Sequence, residues 1–319
     1  EAIYEPRFLN CMYGFRPNRG CHDAIKELYK RLNNTKICYI VDADIKGFFD
    51  HMKHEWIIKF LYLYIKDPNI IGLVKKYLKV GVIDGGELMM NEEGSAQGNI
   101  ISPILANIYM HNVLTLWYKF IITKECKGDN FLIVYADDFV AGFQYKWEAE
   151  NYYKLLKERM EKFGLQLEES KSRLLQSGAY IARAKQKSGE STRLETFDFL
   201  GFTFYCGRSR KGMPYIMPKT SSKKFRQKIR DIKVWIYANR DQSLKKLMGM
   251  LNLKLVGHYR YYGISFNGRM ISNYKQQVRE LLFKVLNRRS DRKSYTREGF
   301  IEMLKYYPLV MPKIYVSLF

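Results

Sequence analysis

The chain reads as an α+β protein built on an antiparallel sheet and followed by an all-helical domain. Three observations predict this. Residues 131–143, FLIVYADDFVAGF, are two apolar runs separated by an acidic dipeptide, the pattern of a β-hairpin with acids at its tip. Residues 37–45, ICYIVDADI, have the β-branched content and length of a strand. From Lys219 onward the apolar residues recur at helical spacing. Phe225, Ile229, Ile232 and Ile236 form one stripe, and Leu244, Leu247, Leu251 and Leu255 form another.

With 319 residues and 47% apolar content, the chain has length for two domains and at least one large core. A formal charge of +22 exceeds what solubility requires and points to a polyanionic partner, a nucleic acid or an anionic membrane. The surplus is uneven. Residues 216–319 hold 23 Lys and Arg against 6 Asp and Glu, a net of +17, which leaves +5 for residues 1–215. Cys11, Cys21, Cys38, Cys126 and Cys206 are odd in number, widely spaced and never in a CxxC pair, which reads as a reducing compartment without structural zinc. The best candidate for a membrane span, residues 100–122, carries Asn, Pro, His and Lys, so a soluble chain with no membrane partner is expected. No signal-peptide pattern is present, and a start at Glu1 rather than Met reads as a beginning cut away.

Taken in order, residues 13–20, YGFRPNRG, set Arg16 and Arg19 among aromatics, Gly and Pro. That is a loop suited to gripping phosphate or base, or else a surface turn with incidental arginines. Helical spacing follows over residues 22–32, with Ile25, Leu28 and Leu32 on one face. In the strand at 37–45 the pleat places Asp42 and Asp44 on one face. A carboxylate there is a natural third ligand for Asp137 and Asp138, which repel each other and resist burial unless a divalent cation neutralises them. The plainer reading is an Asp-rich turn tip, with Asp42 and Asp50 as ordinary strand-flank and turn acceptors. Phe48 and Phe49 follow in a turn beside the supposed metal, and core packing is the default for Phe48.

Helices are expected over about residues 53–65 and 70–78, and a short hairpin over 81–90. His51 and His54 lack a third ligand nearby and read as structural. Residues 94–103, GSAQGNIISP, form a small-residue loop against which a ligand can lie. Ser102 and Pro103 read as the N-cap and first residue of a helix that continues through Leu105, Ile108, Tyr109, Asn112, Leu116 and Phe120. A helix over 147–163 ends at Gly164 as its αL cap, and residues 165–175 return as extended chain with Lys171. Residues 176–196, rich in Lys, Ser and Gly, read as an insertion or flexible loop. Residues 197–206 read as a strand pair or bent strand with a bulge at Gly201, and 209–218 as the linker to the basic helical domain.

An acid-bearing strand, a Gln-Gly loop, a Tyr-Ala-Asp-Asp hairpin and a Phe-Leu-Gly-Phe strand in this order resemble a reverse transcriptase. More narrowly, the chain resembles a group II intron-encoded reverse transcriptase/maturase. Residues 13–17 match that family's YGFRP block, 44–50 its DIKGFFD, 97–106 its QGxxxSPxLA, 135–138 its YADD box and 199–202 its primer-grip block. The basic tail matches through residues 257–263, GHYRYYG, then Arg288-Arg289-Ser290 and Pro312-Lys313-Ile314. Two departures stand out. Gly94-Ser95-Ala96 replaces the usual Gly-Thr-Pro, and the family's two most N-terminal blocks and its C-terminal DNA-binding and endonuclease modules are missing.

The resemblance implies a right-hand polymerase. Partial fingers would span residues 1–36, a palm with finger elements 37–215, and an all-α thumb or maturase X domain 216–319. It implies RNA-directed DNA synthesis from dNTPs on an RNA template with a DNA primer, together with binding of group II intron RNA, splicing and retrohoming. Asp44, Asp137 and Asp138 would hold two Mg²⁺ ions, with Mn²⁺ as a substitute. Phe49 would lie beneath the incoming sugar and exclude a 2′-hydroxyl. Gln97, Tyr135 and Ala136 would contact the incoming nucleotide, and Lys171 would protonate pyrophosphate. Phe199, Leu200, Gly201 and Phe202 would form the primer grip. Arg16, Arg19, Lys223, Lys224, Lys228, Arg260, Arg288 and Arg289 would bind RNA. The implied location is a cytoplasmic ribonucleoprotein of bacterial type, with an organelle as the alternative. The rival classes are a non-enzymatic RNA-binding splicing factor that keeps a polymerase fold and an RNA-dependent RNA polymerase. Complete carboxylates argue against the first and the bulk of Phe49 against the second. A defence-associated or diversity-generating reverse transcriptase would share the palm but not the maturase-like tail.

Overall fold

A computed structural model describes residues 1–79, 82–84, 87–89, 94, 100–288 and 295–319. The first unit comprises Glu1–Leu200 with Cys206–Ile216, and the second Gly201–Tyr205 with Met217–Phe319. Among the described residues no helix is long and apolar enough to cross a membrane.

The first unit is organised on a four-stranded antiparallel sheet. Its strands are β1 (Tyr39–Ala43), β4 (Asn130–Tyr135), β5 (Asp138–Phe143) and β6 (Arg173–Gln176), in the order β4-β5-β1-β6. The two central strands are apolar on both faces except at their ends, because helices cover the sheet. Those helices are α1 (Cys21–Asn34), the short α2 (Phe48–His51), α3 (His54–Tyr62), α4 (Pro68–Lys79), α5 (Ser102–Met110) and α7 (Lys146–Lys162). Phe48, Tyr109, Phe139, Phe143 and Tyr152 are the large buried side chains of that core. Strands β2 (Val82–Asp84) and β3 (Glu87–Met89) form the expected hairpin. Gly164 has φ +78, as the αL cap of α7 requires.

Helix α5 begins with Ser102 as its first residue and Ile101 as its N-cap, one position from expectation. The helical run then passes through two π-helical stretches, His111–Thr115 and Tyr118–Ile122, and closes as α6 (Thr123–Glu125). In the first stretch Thr115 Oγ1 donates back to the His111 carbonyl (3.1 Å). Threonine hydroxyls bonded to a preceding carbonyl in this way often bend helices. His111 is buried, and burial together with Arg16 holds its imidazole down to about 4, so it is neutral and structural.

Two expectations fail. Residues 176–196 are not an unstructured insertion, because Ala179–Lys187 form α8, which packs against α1 on Ala179 and Ala182. An alanine stripe buries a helix with little hydropathy, which is why the pattern reads as polar. Residues 209–218 are not a linker. They lie in the hairpin of β8 (Phe202–Arg208) and β9 (Pro214–Thr220), whose tight turn has Ser209 N–H on the Met213 carbonyl (2.8 Å) and Gly212 at φ +77. β9 alternates inward Pro214, Ile216, Pro218 and Thr220 with half-buried neighbours, and its prolines hid that alternation from sequence reasoning. β7 (Phe197–Phe199), β8 and β9 make a third sheet in that order.

In the second unit α9 (Ser222–Ala238), α10 (Leu244–Tyr262) and α11 (Gly268–Leu286) pack on their apolar stripes, followed by α12 (Arg297–Tyr306). Asn267, fully buried, ties the end of β9 to the connection between α10 and α11. Its Oδ1 accepts from Thr220 N–H (2.8 Å), and its Nδ2 donates to the Tyr262 carbonyl (2.7 Å). His258 stacks on Tyr274 at 3.6 Å, and burial pushes its pKa down to about 3, which assigns it to the core.

Candidate active site

Strand register brings the acids together. β1 pairs with β5 through Asp42↔Val140 and Ala43↔Phe139, so the next step sets Asp44 level with Asp138. Period-two alternation then puts Asp42, Asp44 and Asp138 on one face. The β4–β5 hairpin closes with Tyr135↔Asp138 as its last pair. The two-residue loop is therefore Ala136–Asp137, and Asp138 is the first residue of β5 rather than part of the tip. Ala136 has φ +58 while Asp137 does not share a positive φ, the pattern of a type II′ turn, whose first central position favours Gly.

Crowding of like charges dominates the electrostatics. Burial pushes the Asp138 carboxyl up to about 7, with Asp42, Asp137 and Asp44 adding repulsion and a hydrogen bond from the Leu200 backbone N–H opposing it. Burial raises Asp137 as well, helped by Asp44. Asp42 rises to about 6 through burial, against Arg173, its cross-strand partner at 3.6 Å on β6. A turn at residues 168–171, with Glu168 N–H on the Asp44 carbonyl, delivers Lys171 Nζ to Asp44 Oδ2 at 2.7 Å. That pair is largely exposed, so it is weak and open to displacement.

Four crowded carboxylates, with Lys171 and Arg173 as the cations paired to them, carry surplus negative charge, and a divalent cation is the natural counter-charge. Among the described residues no group of three or more ligands is already closed to coordinating geometry. Magnesium in phosphoryl-transfer sites is bound through one or two carboxylates, with waters and substrate phosphate completing its shell, so the donor set fits.

The Phe199–Phe202 segment is a tight β7–β8 turn rather than a bulge, with Leu200 (φ +47) and Gly201 (φ +77) as its central pair. Two positive φ values define a type I′ turn. Phe199 is buried in the first unit, and Phe202 in the second, where it packs on Tyr261 and Tyr262. Phe49 is half-buried beside Phe48, their rings 5.4 Å apart edge to face. Tyr135 is also half-buried, its phenol raised chiefly by burial.

A family model described as reverse transcriptase (RNA-dependent DNA polymerase) matches residues 2–204, and one described as group II intron, maturase-specific domain matches residues 222–301. The chain belongs to the group II intron reverse transcriptase/maturase family. It is 38% identical over 129 residues to the group II intron-encoded protein LtrA of Lactococcus lactis subsp. cremoris, a match covering 40% of this chain and 20% of LtrA. It is 41% identical over 114 residues to an uncharacterized 91 kDa protein in the cob intron of Schizosaccharomyces pombe, covering 35% of this chain and 14% of that protein. The chain thus matches less than a quarter of the length of either. The structure of apo telomerase from Candida tropicalis aligns over 96% of this chain and 52% of its own at a TM-score of 0.50 and 15% identity, a likeness of fold alone. Polymerase domains of the reverse transcriptase family are metal-dependent as a class, which agrees with the carboxylate cluster.

Within this maturase-type reverse transcriptase the other expected residues divide. Lys223, Lys224, Lys228 and Arg260 are exposed on α9 and α10, and Arg288, exposed just past the end of α11, donates to Tyr237 Oη (2.8 Å). Gln97 and Arg289 lie outside the described residues. Arg16 is turned into the protein. It is buried, with its guanidinium spent on Glu5 (2.8 Å) and on the carbonyls of Leu9 (2.8 Å) and Met12 (3.1 Å). Arg19 is half-buried and donates to the Asn10 carbonyl and side chain at 2.8 Å each. His54, read from the sequence as structural, has its Nε2 2.6 Å from the Gly94 carbonyl, while Gly94 N–H donates to Met52 O (2.9 Å). Gly94, at φ +87, sits where a Cβ would fall 2.9 Å from Asp50 O, so the start of the Gln97-bearing stretch is anchored to the Phe49 turn. The spacing between the two blocks in the chain carries no sign of that anchor.

A folded-state carboxyl at about 7, against an ordinary value near 3.8, means that the folded protein holds an extra proton between those limits. Stability therefore falls as pH rises through that window. Asp138→Asn removes the buried charge. In metal-free buffer with chelator its melting temperature should exceed the parent's at pH 8, with a smaller gain at pH 5. Thermal unfolding at the two pH values checks this, and equal melting temperatures at pH 8 contradict the electrostatic picture.

Proposed function

We propose that this chain is the polymerase and RNA-binding core of a group II intron reverse transcriptase/maturase, copying an RNA template into DNA from dNTPs and a DNA primer and gripping intron RNA during splicing and retrohoming. The observation that carries the reading is the common sheet end shared by Asp44, Asp137 and Asp138. Asp44, Asp137 and Asp138 would hold two Mg²⁺ ions, or Mn²⁺ in their place, which would supply activation of the primer 3′-hydroxyl and neutralisation of the departing pyrophosphate. The protein's own part is positioning and charge. Rigid β1 and β5 fix Asp44 and Asp138, the Leu200 N–H orients Asp138, and Lys171 stands at Asp44 with a proton available for the leaving group. Phe49, half-buried on α2, closes the sugar site against a 2′-hydroxyl, and Gln97, Tyr135 and Ala136 contact the nucleotide.

Residues 1–36, 37–215 and 216–319 serve as partial fingers, palm and thumb, and the thumb's net charge of +17 supplies the phosphate grip, with Lys223, Lys224, Lys228, Arg260, Arg288 and Arg289 as its contacts. A cytoplasmic ribonucleoprotein accords with cysteines that are all free. The alternative of a non-enzymatic splicing factor is disfavoured, since binding alone has no use for a destabilising carboxylate cluster.

Two measurements test this reading. Asp137→Asn should lower primer extension by about 10³-fold, as expected when charge at a developing transition state is removed, with RNA affinity little changed. Near-parental extension contradicts the assignment. Phe49→Val should raise the kcat/KM for a ribonucleotide relative to its deoxy counterpart by at least about 10-fold, and an unchanged ratio returns Phe49 to the core.

A further inference from the structure

We propose that Asn107 is a positioning residue for the catalytic turn, acting through the backbone of Gly14. The turn is held in a conformation its sequence does not favour. Ala136 sits at φ +58, a region that a residue with a Cβ rarely adopts. A strained backbone persists only where its surroundings over-determine it.

Residues 11–14 provide those surroundings. They run beside β4 with a parallel bridge at Met12↔Val134, Val134 N–H donating to Cys11 O and Tyr13 N–H to Val134 O, both at 2.8 Å. At the end of this segment buried Gly14 lies against the turn. A Cβ on Gly14 would fall 2.5 Å from Ala136 N and 3.1 Å from the Tyr135 carbonyl carbon, so only glycine fits here. The Gly14 α-carbon is a wall for the peptide that joins Tyr135 to Ala136.

One side chain fixes that wall. Asn107, 1% exposed on α5, donates from Nδ2 to the Gly14 carbonyl at 2.8 Å. Asp138 is set independently, by β5 and by the Leu200 N–H. A shift of Gly14 therefore moves Asp137 relative to Asp138, and the spacing of the two carboxylates is what a bound cation reads. Asn107 thus couples α5 to the metal-facing turn. The proposal rests on the reading of Asp137 and Asp138 as metal ligands.

The test is a titration of the full chain with Mn²⁺ in the absence of nucleic acid, followed by electron paramagnetic resonance, alongside thermal unfolding and dNTP kinetics. Asn107→Ser leaves room for a water at the Gly14 oxygen, and Asn107→Asp keeps the shape while losing the donor, so one of the two remains informative if the other folds poorly. Asn33→Ala is the control. Asn33 is also buried, bonding the Tyr29 and Ile216 carbonyls at 2.9 and 3.0 Å, and is no part of the turn. All three substitutions should lower the melting temperature. Only the Asn107 variants should weaken Mn²⁺ binding, by about 10-fold, the size usual for a partner that orients a metal ligand. They should also lower kcat with little change in the KM for dNTP. Parental Mn²⁺ affinity in the Asn107 variants overturns the proposal alone. A parent protein that binds no Mn²⁺ overturns the metal assignment and the proposal with it.

Discussion

Like charges gathered at the end of a sheet repel, and each loses hydration as neighbours close over it. Asp42, Asp137 and Asp138 are in this position, with the more exposed Asp44 beside them, and the arrangement of the first unit answers their repulsion. Arg173 faces Asp42 across the β1–β6 ladder, the 168–171 turn brings Lys171 to Asp44, and the β7–β8 turn gives Asp138 a backbone N–H. Those three devices come from two segments, residues 168–173 and the β7–β8 turn, and none neutralises Asp137 or Asp138. The remaining charge favours a divalent cation over any side chain, because carboxylates at these positions are stabilised by a counter-ion that can arrive and leave with substrate.

Backbone strain is the second constraint, and it sits in the same place. Ala136 and Leu200 both adopt positive φ without being glycine, and the N–H of the second donates to the acid that closes the hairpin of the first. Strained residues persist where packing over-determines them, and here the strain fixes where two acids point. Stability is surrendered at these turns, while the buried aromatics under the sheet, Tyr109, Phe139, Phe143 and Tyr152, supply what the turns lack.

Much of this was legible from the sequence for reasons that can be stated. The β1 strand and the β4–β5 hairpin are short and strongly patterned, and the amphipathic stripes of α9 to α11 repeat over several turns, so local pattern and tertiary burial agree. The phase of the catalytic turn was not legible. A reader of the chain places Asp137-Asp138 between the apolar runs, whereas the register closes on Tyr135↔Asp138 and leaves Ala136 in a conformation that alanine does not advertise. α8 was hidden because alanines form its buried face, and β9 because prolines interrupt its alternation. Arg16 illustrates a different limit. A loop of Arg, Gly and aromatics suits phosphate, but the loop folds on itself, and the burial of its guanidinium against Glu5 depends on a segment that composition does not connect to it.

The three acids at the end of β1 and β5 are the proposed cation site of a polymerase. The most direct measurement is anomalous diffraction at the manganese edge from crystals of the protein grown with an RNA–DNA primer duplex, a non-hydrolysable dNTP and Mn²⁺. The account predicts anomalous peaks between Asp44, Asp137 and Asp138, with Lys171 displaced from Asp44. Bound nucleotide with no anomalous peak at those carboxylates, and Lys171 still paired to Asp44, would contradict it.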